Sequence, residues 1–276
     1  MADIIRIYQA QTTVPADKQL ALSLVEQVCT EAAEKGCDMV TLPEMFCCPY
    51  ETSNFPLYAE PEDSAFVHTL ADIAQSHKIW LSAGSMPELA PGGKIYNTAF
   101  VFDRSGHITA KHRKMHLFDI AVQGGQCFRE SDTLSAGDQV TVFDTEFGKL
   151  GLCICYDLRF PELGRLMALQ GARLILVPAA FNMTTGPAHW ELTFRAQAVF
   201  NQVFTVGTAP ACDMAASYHS WGHSIAVDPW GTVLSQADTS DCRTELALAL
   251  SQAASVRTQL PLLQHRRTDI YRLETI

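Results

Sequence analysis

Gly151-Leu152-Cys153-Ile154-Cys155-Tyr156-Asp157-Leu158-Arg159-Phe160-Pro161-Glu162 changes character within one residue. An apolar run of strand character carries two cysteines and breaks at Tyr156 into charge, with Pro161 placed to open a helix. A thiol at the end of a strand, where the backbone turns, sits where α/β folds expose reactive groups. What lies on either side of this stretch decides the fold class.

Upstream, residues 140–143, a turn at 146–148 and residues 150–155 read as a hairpin leading into the cysteine. Downstream come a helix over 161–170 closed by Gly171, an apolar strand over 174–177 and a helix over 187–201. Strands over 203–208 and 224–227 follow, then the turn Asp228-Pro229-Trp230-Gly231 and another strand. The N-terminal half has a similar rhythm: strand 4–9, helix 16–36, strand 39–42, helix 63–77, strand 79–84. A hairpin follows, with 96–102 and 107–111 joined through Asp103-Arg104-Ser105-Gly106. Strands alternating with helices predict an α/β fold, and the hairpins make its sheets mixed. The two similar halves suit two sheets packed face to face.

The chain has 276 residues, of which 47% are hydrophobic and 18% charged, enough to bury a sizeable core. We expect one domain over residues 1–276. A formal net charge of −10 argues against a nucleic-acid partner. No window approaches the roughly 18 unbroken apolar residues of a membrane span, and the N-terminal segment lacks the basic flank of a signal peptide. Nine cysteines, odd in number and without repeating spacing, suit reduced thiols and a cytoplasmic location.

A thiol with an ordinary pKa of about 8.5 needs a neighbouring base or cation to act as a nucleophile near neutral pH. Cys153 lies among apolar neighbours and reads as core; Cys155 directly precedes the polar turn and is the candidate nucleophile. Glu44, in Thr41-Leu42-Pro43-Glu44-Met45-Phe46, is a lone carboxylate just past a strand. Burial there would raise its pKa and suit it to general-base work; the alternative is a surface charge. Lys114, in Lys111-His112-Arg113-Lys114-Met115-His116-Leu117-Phe118-Asp119, either meets a developing oxyanion or belongs to a solvated basic loop. His112 and His116 have i, i+4 spacing, as do His219 and His223. Neither pair carries the Glu of a His-Glu-x-x-His motif, so no metal site is expected.

Leu-Pro-Glu, Arg-Lys-Met-His-Leu-Phe-Asp and Ile-Cys-Tyr-Asp-Leu-Arg-Phe-Pro-Glu, in this order, resemble the Glu, Lys and Cys motifs of the nitrilase superfamily of carbon–nitrogen hydrolases. The tail Arg267-Thr268-Asp269-Ile270-Tyr271 is similar to that family's Arg-x-Asp-x-Tyr ending. The resemblance implies a four-layer α-β-β-α sandwich with mixed sheets. It also implies a homodimer or higher homo-oligomer, with the tail over about 255–276 expected in the dimer contact. By motif, it makes Cys155 the nucleophile, Glu44 the base, Lys114 the cation and Glu130 the second glutamate, with the Tyr156 N–H beside the oxyanion. No cofactor is required.

Within the superfamily, the stretch Phe-Asn-Met-Thr-Thr-Gly-Pro-Ala-His-Trp-Glu (181–191) is closest to the omega-amidase branch. That branch hydrolyses the terminal amide of 2-oxoglutaramate, 2-oxosuccinamate and similar monoamides such as succinamate through a thioester. A carboxylate-bearing substrate needs a local cation, and the planar guanidinium of Arg159 suits it; an ion pair with Asp157 or Glu162 is the competing reading. Thr184 and Thr185 either donate hydroxyls or cap the next helix, Tyr50 and Phe181 either wall the pocket or simply pack, and His116 is a further substrate-side candidate. A nitrilase or N-carbamoyl amidase using the same residues is the alternative activity. A non-catalytic thiol-bearing interaction module is the alternative outside enzymology.

Overall fold

The computed structural model of the chain describes residues 3–123 and 127–276. Chain order begins with β1 (Ile4–Gln11), α1 (Lys18–Glu34), β2 (Met39–Thr41), the one-turn α2 (Phe55–Tyr58), α3 (Ala65–His77) and β3 (Trp80–Ser82). It continues through β4 (Met86–Leu89), β5 (Ile95–Phe102), β6 (Ile108–Arg113) and a small pair, β7 (Asp119–Ala121) and β8 (Cys127–Arg129). The second half runs β9 (Thr141–Thr145), β10 (Gly148–Leu152), α4 (Pro161–Leu169), β11 (Leu174–Pro178), α5 (Gly186–Asn201) and β12 (Phe204–Thr208). It closes with β13 (Ile225–Val227), β14 (Val233–Gln236), β15 (Cys242–Ala249) and α6 (Ser251–Gln259).

Among the described residues, one sheet has the order β15-β1-β2-β3-β5-β4, with β6 also paired to β5, and the other has the order β14-β13-β12-β11-β10-β9. Each has a parallel centre, β1-β2-β3 and β10-β11-β12, flanked by antiparallel strands. Side-chain alternation sorts the layers. Ile5, Ile7, Met39, Ala99 and Val101 join the core shared with the second sheet. Tyr8, Ala10, Val40, Phe100 and Phe102 pack under Val25 and Val28 of α1 and Val67 and Leu70 of α3. On the far side, Leu163 and Met167 of α4 and Trp190 and Phe194 of α5 cover the second sheet. The result is the expected α-β-β-α sandwich.

Hydrogen bonds link polar side chains caught between the sheets. Gln9 Nε2 donates to Gly207 O at 2.9 Å, and the Thr41 and Thr208 hydroxyls meet at 2.9 Å. On the helix side of β12, a Cβ at Gly207 would stand 2.2 Å from the Phe194 ring, so glycine lets α5 lie directly on the sheet.

Two expectations need correction. The strand expected over 150–155 ends at Leu152, because the Asp157 side chain takes the Ile154 N–H at 3.0 Å and draws the chain into a turn. The second is an omission: two elements near the C-terminal end, β15 and α6, were not read from the sequence. β15 zips antiparallel along all of β1, Ile4 opposite Ala249 through Gln11 opposite Cys242, and α6 follows it.

Candidate active site

The segments that follow β2, β10 and β11 bring Glu44, Cys155 and Ala180 together at the carboxyl ends of parallel strands from both sheets. Each approach is shaped by backbone that few residues tolerate. Cys155 has φ of 45° and Met45, next to Glu44, has φ of 52°; such left-handed non-glycine residues persist only where surroundings enforce them. At Gly84, φ is +62° and a Cβ would lie 2.0 Å from Pro43 O. Only glycine lets this neighbour press against the Glu44 loop, which is then pinned by Met45 N donating to Ser85 Oγ at 3.0 Å.

Glu44, Lys114 and Glu130 are each fully buried. Lys114 Nζ donates to Glu44 Oε1 and to Glu130 Oε1, both at 2.9 Å. Asn97 Nδ2 adds a bond to Glu44 Oε1 at 2.9 Å, and the Ala180 N–H holds Glu44 Oε2 at 2.9 Å. Glu130 is fixed from its other oxygen by Phe118 N at 2.7 Å. The Tyr50 hydroxyl donates to Glu130 Oε1 at 2.7 Å and lies 3.3 Å from Glu44 Oε1, so Tyr50 belongs to the polar network as well as walling it. The Cys155 thiol lies within hydrogen-bonding reach of the Glu44 carboxyl and the Ala180 amide.

Burial raises the Glu44 pKa, and Lys114 only partly offsets that rise. Burial also pulls on Lys114, but Glu130 and Glu44 outweigh it and keep the ammonium charged. Burial first, then Glu44, pushes the Cys155 thiol well up. The thiol is therefore protonated near neutral pH, and to act as a nucleophile it would need a base.

The residue that ties the site together was not singled out in the sequence. Asp157, fully buried, accepts from Ile154 N at 3.0 Å, His112 Nε2 at 2.9 Å, Met115 N at 3.2 Å, His116 N at 2.9 Å and His116 Nδ1 at 2.8 Å. One carboxylate thus joins the turn of Cys155 to both flanks of Lys114. The i, i+4 histidine spacing is used to grip it. Burial opposes the charge, but the two histidines outweigh that and hold Asp157 well below the usual carboxylate range. His116 is committed to Asp157 and stacks on Phe160 at 3.6 Å. Asn97 was likewise unmarked in the sequence; its alternation in β5 gave no sign of a polar duty.

Arg159 forms no ion pair with Asp157 or Glu162 among the described residues. Its Nη1 meets His189 Nδ1 at 2.9 Å, its guanidinium lies 4.4 Å from the Phe181 ring centroid, and its buried Nε has no partner there. Thr185 Oγ1 donates to Asn182 Oδ1 at 3.1 Å, and Thr184 N donates to the same oxygen at 3.0 Å. Neither threonine side chain caps α5. The Tyr156 ring packs edge-on to Phe118 and Phe160, with its backbone directly after Cys155.

A carboxyl–ammonium–carboxyl network beside a strained cysteine is a distinctive arrangement, and known proteins share its scaffold. The family model for carbon–nitrogen hydrolases matches residues 4–258. The chain is 46% identical to mouse omega-amidase NIT2 over 270 residues, 98% of each protein. Nit3 of Saccharomyces cerevisiae, described as a member of branch 10 of the nitrilase superfamily, superposes with a TM-score of 0.88 at 38% identity, covering 97% of this chain and 98% of that one. An amidase from Nesterenkonia sp. AN1, seen with the acetamide moiety of fluoroacetamide added covalently at its active-site cysteine, aligns at 26% identity and a TM-score of 0.79, over 96% of this chain and 95% of that one. With sequence motifs, fold and near full-length likeness in agreement, the chain belongs to the carbon–nitrogen hydrolases of the nitrilase superfamily and is an amide-hydrolysing enzyme.

Proposed function

We propose that the protein is an omega-amidase, releasing ammonia from the terminal amide of small dicarboxylic monoamides such as 2-oxoglutaramate, 2-oxosuccinamate and succinamate. The observation that carries the reading is Lys114 Nζ at 2.9 Å from both Glu44 and Glu130, beside a thiol within reach of Glu44. Glu44 takes the thiol proton as Cys155 Sγ attacks the amide carbon. Lys114 and the Tyr156 N–H meet the oxyanion, each such donor being worth about 3 kcal/mol in the transition state. Collapse breaks the C–N bond, and Glu44 passes its proton to the departing nitrogen. Glu44 then activates water to cleave the thioester, giving the dicarboxylate and restoring the thiol.

Arg159 supplies the remote contact. Its buried, unpartnered Nε supports carboxylate binding over a structural ion pair, and Phe181, Thr184, Thr185 and His116 lie on neighbouring segments. Leu192 and Phe200 of α5 are 66% and 56% exposed, and Ile270 and Tyr271 of the tail are 69% and 53% exposed. These apolar surfaces support pairing of two copies through this face, and Leu192→Glu monitored by sizing with light scattering tests it.

Ammonia release measured on 2-oxoglutaramate, succinamate, glutamine, an aliphatic nitrile and an N-carbamoyl amino acid tests the substrate reading. Turnover of the first two is expected to lead, and Cys155→Ala is expected to abolish it with the fold intact. Inactivity on both, with turnover of the nitrile or carbamoyl compound, would replace the omega-amidase reading with the alternative activity.

A further inference from the structure

The proposed chemistry leaves one cavity at the site without a use. It encloses 290 Å³, with Glu44, Met45, Cys48 and Ala211 among its walls and Glu51 and Asp213 beside them. Glu44, Met45, Cys48 and Ala211 are buried, whereas Asp213, Ala215 and Ala216 are exposed. The cavity therefore runs from the general base outward. Among the described residues that line it are three carboxylates, Glu44, Glu51 and Asp213, and no lysine, arginine or histidine.

Cys155, Arg159, Phe181 and Thr185 do not line this space. Tyr50 and Tyr218, with ring centroids 4.6 Å apart, do line it. The Tyr50 hydroxyl, 3.3 Å from Glu44 Oε1, places this part of the wall against the general base.

We propose that this cavity is a separate exit for ammonia, an inference that rests on the amidase reading above. In the acylation step the C–S bond forms, the C–N bond breaks, and nitrogen leaves with the proton that Glu44 took from the thiol. Ammonia is therefore born against Glu44, at the inner end of the cavity. An acidic, cation-free wall draws out the ammonium ion that ammonia becomes in water, and it repels a dicarboxylate substrate. Arg159 has the opposite preference. Substrate and first product are thereby routed by charge sign, and ammonia can leave while the acyl group still fills the side of the site near Arg159.

The test uses hydroxylamine, close to ammonia in size, as a competitor of water for the thioester. Its nitrogen attacks the acyl carbon, the C–S bond breaks, and the product is a hydroxamate with the thiol restored. With the acyl group in place, the cavity is the open route for this nucleophile. Ala211→Phe puts a ring in the buried passage, and Ala216→Trp obstructs its exposed rim without touching the core. Since a narrowed pore discriminates by diameter, the hydroxamate-to-acid ratio is expected to fall about fivefold or more in both variants, with the amide KM unchanged. A ratio held at the wild-type value in well-folded Ala216→Trp would overturn the exit, whatever Ala211→Phe does to folding. Absence of both ammonia and hydroxamate from the wild-type enzyme would instead remove the amidase reading itself.

Discussion

Asp157→Asn is the sharpest probe of how the site is held. The carboxylate receives five donors, Met115 N, His116 N and His116 Nδ1 on one oxygen and Ile154 N and His112 Nε2 on the other. In the best arrangement the new NH2 faces the pair, and His112 changes tautomer to accept from it. Ile154 N–H is then stranded at a cost of about 1–3 kcal/mol, and the remaining bonds each lose roughly 1 kcal/mol of charge assistance. The sum predicts a loss of about 4–6 kcal/mol in urea unfolding. Since Ile154 directly precedes Cys155, the loss also frees the turn that sets the thiol, and misplacement by about 1 Å costs on the order of 10²-fold in kcat. The loss is expected to fall on kcat more than on KM, because Asp157 holds the turn of Cys155 through Ile154, whereas His116 is the one substrate-side candidate among its donors. The pH dependence has a definite sign. The folded pKa of Asp157 is depressed, so its stabilisation is full above the unfolded value of about 3.9 and is lost as pH falls through the folded one. Wild type and variant should therefore converge in acid. Unfolding free energies within about 1 kcal/mol of each other at neutral pH, together with unchanged kcat, would refute the clamp.

Arg159→Met removes a cation with a buried free donor; losing about 3 kcal/mol of charge-assisted bonding should raise KM for succinamate about 10²-fold, while propionamide turnover barely changes. The acid limb of kcat/KM is expected above the ordinary glutamate value of about 4.3, because burial raises Glu44 and the base must be ionised to act, so rate rises with pH through that limb. A limb at or below the ordinary value would remove Glu44 as the base. Gly84→Ala would place a Cβ 2.0 Å from Pro43 O in left-handed backbone, and calorimetry should show a loss of about 2–4 kcal/mol with ammonia release falling as the Glu44 loop shifts.

The layers were legible because they follow from alternation. Ile5 and Ile7 facing one way and Tyr8 and Ala10 the other is a pattern that a strand imposes on any sequence. Cys155 over Cys153 could also be argued from the change to a polar turn directly after Cys155, although the strand itself ends earlier, at Leu152. The positions that required coordinates are those whose role depends on distant partners. Asp157 looked like one more charge in a polar turn, yet three of its five donors come from residues 115 and 116 and a fourth from His112. Asn97 in β5 and the positive φ at Met45 and Cys155 were hidden for the same reason. Strain is visible only after the neighbours that enforce it are in place. β15 was missed because Arg243 and Glu245 break its apolar character, and its pairing partner lies at the other end of the chain.

The charges at the site explain why its parts must act together. Two buried carboxyls share one buried ammonium, so the group lacks a compensating charge unless one carboxyl holds a proton. In the proposed mechanism that is the state Glu44 enters when it takes the thiol proton, with the oxyanion forming next to Lys114 at the same time. On that proposal, negative charge moves from the Glu44 carboxylate to the oxyanion while the lysine stays in contact with both, so the network reorganises little during the step. Under the omega-amidase proposal, the arrangement also disfavours binding the substrate carboxylate there. Lys114 is already shared, and a second anion near it would raise Glu44 further and hold it protonated before reaction. On that proposal the substrate carboxylate is met by a different cation away from that network, and among the described residues near Cys155, Arg159 has the free donor to do so.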